Sequence, residues 1–319
     1  MGIKNLNKFL KEECKNSIKC ISLSELSGKK IAIDISIYLY KYTAEDTLIE
    51  NIYLMISIFR YYNIIPIFVF DGKPPAEKKE LLKKRLQDKY TAEKEYNKLK
   101  EQLYNKEIDE SEKQDLIENM DSLKKQFIYI KQDQIQRVKE LIRLYGVTYY
   151  DAPGEADELC GLLVIKKKVW ACLSEDMDMF VYGCNRVLRY FSLLNHTMVC
   201  YDMKGILNEL GVTQKEFREI CVLSGTDYNN NKSDLYQTLK HFKKYYKIKK
   251  DYKGDFYGWL NENTNYIEDY YSLVKIYDMF DLHNSKENIK IFEKIKIMNG
   301  PVYMDEIKNI LETYSCFIF

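Results

Sequence analysis

Short apolar runs that each lead into an acidic motif constrain this chain more than any other feature. Residues 30–35 carry Asp34 within IAIDIS, and residues 64–70 run straight into Asp71 of FVFDGKPP. Residues 147–150 precede APGEADE, with Glu155 and Asp157, and residues 169–173 precede SEDMD, with Asp176 and Asp178. A continuous apolar run of this length, bounded by turn residues, reads as a strand buried on both faces. Amphipathic stretches at helical spacing separate the runs: one over residues 38–60 and one over 134–145, closed by Gly146. Another follows the Pro153-Gly154 turn through Ile165, and a fourth runs from the Thr213 cap to Leu223, just before Asp227 of SGTDY. Residues 186–190 and 198–201 read as a hairpin, and the chain from Asp234 onward as mostly helical. Alternating strands and helices predict an α/β fold with a mostly parallel central sheet flanked by helices. Ligands of such sheets sit outside the carboxyl ends of the strands, where Asp34, Asp71 and Asp176 are expected.

Like charges gathered at one sheet edge repel, so a cluster of seven carboxylates needs cations. Oxygen-only ligands suit Mg²⁺, with Mn²⁺ as a substitute. The chemistry expected of such a cluster is two-metal hydrolysis of a phosphodiester. Other classes fit poorly. The eight cysteines are scattered without CxxC spacing and there are three histidines, which argues against zinc. The cysteines read as reduced residues of an intracellular protein, in the nucleus or at a cytoplasmic viral replication site. No apolar run is long enough to span a bilayer and no signal peptide is evident. The formal net charge is +1, so any nucleic-acid surface must come from local segregation of sign.

From Glu77 to about Lys131 the apolar residues thin out and recur at helical spacing, as at Tyr96, Leu99 and Leu103, then Leu116, Met120, Leu123 and Phe127. This predicts two projecting helices joined by the polar stretch 105–112. Lys78 and Arg85 lie seven residues apart, nearly two helical turns, so on one helix they point the same way. Facing the acids, they would grip the scissile phosphate. Asp176 and Asp178, two apart, would share one side of an extended chain. Glu155 and Asp157 can both face the cluster only if the helix starts just after Glu155.

MGIKNL, IAIDISIYLY, FVFDGKPP, YDAPGEADE, SEDMD and LSGTDYN stand in the order and approximate spacing of the flap endonuclease, or XPG-type, 5′-nucleases. The chain resembles that family over roughly residues 1–230. The resemblance implies a PIN-like nuclease domain with a helical arch, two divalent metals, and cleavage of DNA near the junction of a 5′ single strand with duplex. It places the metal ligands at Asp34, Asp71, Glu155, Asp157, Asp176, Asp178 and Asp227, and the phosphate-gripping cations at Lys78 and Arg85. It further implies a base-stacking ring at Tyr40, a close backbone approach at Gly2, and an arch whose Lys124, Lys125 and Lys131 line the path of the 5′ strand. The implied organisation is an N-terminal nuclease segment (1–85), an inserted arch (86–131), an internal nuclease segment (132–230) and a helical C-terminal region (231–319).

Where the family has a helix–turn–helix with two glycines that bring backbone amides to the duplex, this chain has Asp234 and Tyr236. Lys240, Lys243 and Lys244 are the replacement phosphate contacts expected there. No clear sliding-clamp peptide is seen, and a monomer is expected. The compact length and divergent tail look like a large-DNA-virus version of the family. The expected activity is a structure-specific 5′ nuclease acting on 5′ flaps. The alternative is a 5′→3′ exonuclease on single-stranded DNA or RNA. A catalytically silent DNA-binding replication protein would be expected to lack some of the seven acids.

Overall fold

The computed structural model describes residues 3–105, 110–229, 234–282 and 295–314. Gly2, Cys316 and His283 therefore lie outside the described residues, as do 230–233 of the altered segment. The centre is a seven-stranded sheet in the order β1-β7-β6-β5-β2-β3-β4. The strands are β1 (Ile18–Ser22), β2 (Lys30–Asp34), β3 (Ile65–Phe70), β4 (Thr148–Asp151), β5 (Ala171–Leu173), β6 (Arg186–Ser192) and β7 (Thr197–Asp202). β4, β3, β2, β5 and β6 run parallel; the β6–β7 hairpin and β1 complete the sheet antiparallel.

Each central strand is buried on both faces, as its unbroken apolar sequence requires. Along β3, Ile67 and Val69 join one core while Phe68 and Phe70 join the other. The second core is closed by α2 (Ser36–Ala44), α3 (Leu48–Tyr61), α6 (Gln132–Leu144) and, from the far end of the chain, α14 (Met304–Tyr314). The first is closed by α1 (Leu6–Glu13), α7 (Ala156–Ile165), α8 (Asp178–Tyr182), α9 (Met203–Leu210) and α10 (Gln214–Leu223). Onto these pack α11 (Leu235–Ile248), α12 (Phe256–Asn263) and α13 (Tyr270–Met279). The remaining pair, α4 (Lys79–Asn105) and α5 (Glu110–Lys124), leaves the sheet between β3 and α6. Tyr96 of α4 and Phe127, just beyond α5, meet edge-on at 5.4 Å.

The helix expected over 38–60 is two helices. The chain breaks at Asp46, which takes a left-handed φ of 54°, and Thr47 opens α3 from a non-helical conformation. Aspartate tolerates that geometry, and Asn51 secures the break by donating from its side chain to Thr47 Oγ1 at 2.7 Å. The half-exposed strand β1 and helices α1, α8 and α9 have no counterpart in the sequence reading.

Candidate active site

The acids cluster because three adjacent strands, β5, β2 and β3, end together. Asp34 is the last residue of β2 and Asp71 directly follows β3. Ser174, just after β5, donates its hydroxyl to Asp34 Oδ2 (3.0 Å) and accepts from the Asp176 N–H (3.1 Å). Asp176 Oδ1 in turn accepts from the Asp178 N–H at 3.0 Å. The extended geometry expected for SEDMD is therefore incorrect: Asp178 opens α8, and the intervening turn, not strand alternation, brings the two carboxylates together. Glu155 has extended backbone (φ −80°, ψ 146°) immediately before α7, with Asp157 in the first helical turn, as the sequence requires if both are to face the cluster.

Gly72 makes the junction between β3 and α7 possible. A Cβ there would lie 1.9 Å from the Ala152 carbonyl oxygen, so only glycine lets the two loops touch. The Gly72 N–H donates to Gly154 O at 2.7 Å, and Asp71 Oδ1 accepts from the Ala156 N–H at 2.8 Å. Asp71 also accepts from the Ser36 hydroxyl, while the Ser36 N–H donates to Asp34 Oδ1 at 3.2 Å. Asp227 follows α10 and accepts from Arg85 Nη2 at 2.8 Å.

The result is a pocket of negative charge. Carboxylate oxygens of Asp157, Asp176 and Asp178 lie within 4.8 Å of one another, all buried. Both Asp178 oxygens are buried without a hydrogen-bond partner. Burial raises the pKa of Asp178, and Asp176 and Asp157 raise it further. Burial likewise raises Asp157 and Asp176. It pushes Asp34 up to about 7, with Asp71 adding to the shift. The fields of Glu155 and Asp227 reach the same group, acting on Asp157 and Asp178 respectively. All seven sequence-predicted acids thus meet at one edge.

Lys78 is buried and sits in a short 3₁₀ turn (Ala76–Lys78) rather than on α4 itself, which begins one residue later. Its ammonium reaches Glu155 Oε1 at 2.8 Å. Burial opposes the charge, but Asp157, Glu155 and Asp178 outweigh it and hold the pKa above the usual lysine value. Arg85 on α4 reaches the cluster through Asp227, so both cations do face the acids.

The sequence reading missed three supports. Tyr228 donates its hydroxyl to Glu155 Oε2 at 2.7 Å and lies 4.8 Å beneath the Lys78 ammonium, fixing both. Arg189 holds the 175–177 loop, pairing with Glu175 at 3.3 Å and donating to the Glu175 carbonyl at 2.9 Å. Ser174 links Asp34 to Asp176. Tyr228 adjoins Asp227 in SGTDY, which was its one available signal.

The other expected DNA contacts are surface residues. Tyr40 is on α2 with its ring exposed, and Lys124 ends α5 and pairs with Asp46 at 3.0 Å. Lys125 and Lys131 are exposed, as are Lys240, Lys243 and Lys244 on α11. His196 bonds the Tyr62 hydroxyl at 3.0 Å and His241 stacks on Tyr266, both away from the site.

A mostly parallel sheet with acids converging at its carboxyl edge, capped by one cation from the 3₁₀ turn after β3 and one from α4, defines a PIN-like nuclease core. The comparisons agree. The XPG N-terminal domain matches residues 1–92 and the XPG I-region matches residues 146–227, together more than half of the chain. The chain belongs to the XPG family. It is 31% identical to flap endonuclease 1 of Glossina morsitans morsitans and 32% identical to that of Lodderomyces elongisporus, in each case over 72% of this chain and 61% of the relative. It spans less than two thirds of the length of those relatives. A probable RAD2-like endonuclease of Invertebrate iridescent virus 6 is 29% identical over 72% of this chain and 68% of its own length. Among solved structures, the catalytic core of Rad2 in complex with DNA substrate superposes with a TM-score of 0.65 at 23% identity, over 97% of this chain and 94% of that one. Flap endonuclease-1 from Methanococcus jannaschii gives 0.54 at 22%, over 93% and 95%. These structural likenesses establish the fold.

Proposed function

We propose that this protein is a Mg²⁺-dependent, structure-specific 5′ nuclease that hydrolyses DNA phosphodiesters near single-strand/duplex junctions. The observation that carries the reading is the Asp178 carboxylate, buried with both oxygens unpartnered among other acids. A protein gains nothing from such a group unless a cation completes it. Buried carboxylate oxygens with no nitrogen or sulfur donor among them fit hard divalent cations. Asp34, Asp71, Glu155, Asp157, Asp176, Asp178 and Asp227 are the residues to hold two of them. When bound, the metals supply an activated water and charge stabilisation at the departing 3′ oxygen. The chain's own residues do the rest. Lys78 and Arg85, poised on Glu155 and Asp227, turn to the scissile phosphate and stabilise its developing charge. Tyr228 keeps Lys78 over the site, and Tyr40 offers a ring to an unpaired base without regard to sequence.

One observation favours the second reading, a 5′→3′ exonuclease on single strands. Asp234 caps α11, accepting from the Gln237 N–H at 2.9 Å. A carboxylate occupies the helix N-terminus where backbone amides would otherwise meet a duplex phosphate. The relatives named as flap endonucleases favour the first reading.

The test is cleavage of an end-labelled 5′-flap duplex and of the same strand unpaired. Cleavage at the junction with Mg²⁺, abolished by EDTA and by Asp178→Asn, is expected. Activity that survives EDTA removes the metal mechanism, and preference for the plain single strand selects the exonuclease.

A further inference from the structure

At the base of the inserted helical pair, three side chains from three separate elements meet outside the acid cluster. Tyr40 (α2) and Tyr129, in the segment between α5 and α6, are 44% and 47% exposed. The Lys89 ammonium on α4 lies 4.8 Å from the Tyr40 ring centroid and 5.4 Å from that of Tyr129. It also donates to Ile128 O at 2.7 Å, and Tyr129 is oriented by its hydroxyl bond to Glu93 at 3.1 Å. Lys89 is one helical turn beyond Arg85, about 6 Å along α4, and Arg85 touches the acid cluster through Asp227.

We propose that Tyr129 and Tyr40 form the two walls of a slot for one unpaired nucleobase, with the Lys89 ammonium as its occupant in the free protein. The inference rests on the nuclease reading above and adds a substrate-positioning residue to it. Magnitudes favour exchange. An exposed cation–π contact is the weaker of the two, and stacking of a base on an aromatic ring is the stronger. A base therefore displaces the ammonium. The displaced lysine, whose charge burial already disfavours, gains the phosphate of the same nucleotide as partner. Tyr129 touches the base and no reacting atom, so it is a positioning residue. If its ring serves only to fasten the base of the helical pair, its removal is indifferent to whether a base is present.

That difference is the test. Single-turnover cleavage of a 5′-flap duplex is compared for wild type, Tyr129→Phe and Tyr129→Ala, with a normal or an abasic nucleotide next to the scissile bond. The expected result is a loss of about 10-fold for Tyr129→Ala on the normal substrate. Tyr129→Phe should retain the rate, and the alanine variant should lose less than about 2-fold on the abasic flap. Equal losses on both substrates, or Phe as slow as Ala, overturn the slot. A second readout needs no turnover: 2-aminopurine at that nucleotide should be quenched on binding in EDTA, and less so with Tyr129→Ala. Unchanged quenching overturns the slot, whereas failure of wild type to cut any flap overturns the nuclease reading.

Discussion

The carboxyl edge of the sheet and the α4–α5 pair are both dense in charge and treat it in opposite ways. At the sheet edge, acids are desolvated against their own sign and Asp178 has no partner. On α4 and α5, charges stand in water and pair loosely, as Lys83 does with Glu80 at 61% and 80% side-chain exposure. The buried cluster stores an electrostatic penalty that a bound cation removes, so its stability and its chemistry are coupled. The exposed pairs of the helices store none, and such charges can meet a phosphate backbone from outside. Removing a charge should therefore have opposite consequences in the two regions.

The largest expected effect is that of Asp178→Asn. Cleavage should fall by about 10³-fold or more, since a buried charge poised for the transition state is lost. The metal-free protein should at the same time become more stable at neutral pH, because one of several mutually repelling buried acids is gone. Thermal unfolding in EDTA reads the second effect. A destabilised variant would mean that the acid is held by something other than a cation.

Arg85→Ala comes next. Arg85 is 42% exposed at its side chain, so its loss should cost little stability but about 10²–10³-fold in single-turnover rate. An unchanged rate would separate Arg85 from the chemistry and leave it as a partner of Asp227 alone.

The pH dependence of metal-free stability should follow the raised acids. Asp34 has a folded pKa of about 7 against an unfolded value near 3.8. Between those values the folded chain binds more protons than the unfolded one, so stability falls as pH rises through that window. Its full contribution is present below pH 4 and lost above about 7. Asp34 alone accounts for on the order of 4 kcal/mol, with Asp157, Asp176 and Asp178 shifted the same way. Saturating Mg²⁺ should flatten the profile. Denaturant midpoints across pH 4–8, with and without metal, check both the slope and its removal.

The two regions also differ in how much the sequence disclosed. A strand buried on both faces announces itself by an unbroken apolar run, so the ends that carry Asp34 and Asp71 were legible residue by residue. Glu155 was legible because Pro153-Gly154 fixes where α7 can begin. The turn before Asp178 was not, since a five-residue helix such as α8 shows no periodicity. The roles of Tyr228 and Arg189 depend on partners remote in sequence: the Tyr228 bond to Glu155 spans 73 positions. The break at Asp46 was hidden because helical apolar spacing continues on both sides of it. On α4 and α5 the spacing gave the helices. It could not show that Lys89 would join Tyr40 to Tyr129, because those three residues meet only once the helical pair stands on the sheet.

The smallest expected effect lies in that solvated region. Lys124 pairs with Asp46 at 3.0 Å, but the two side chains are 49% and 77% exposed. Solvent and salt screen such a pair, and ordering the long lysine side chain offsets most of its attraction. Lys124→Ala should shift stability by less than about 0.5 kcal/mol. If the residue lines the path of a 5′ strand, binding should weaken alike for every flap sequence, and the salt slope of log Kd should fall by about 0.7, one phosphate contact on a single strand. The same substitution should leave plain duplex binding untouched. A stability loss near that of a core residue would mean that the pair is a structural clasp between α5 and the α2–α3 turn, and the contrast between buried and solvated charge would then fail at its exposed end.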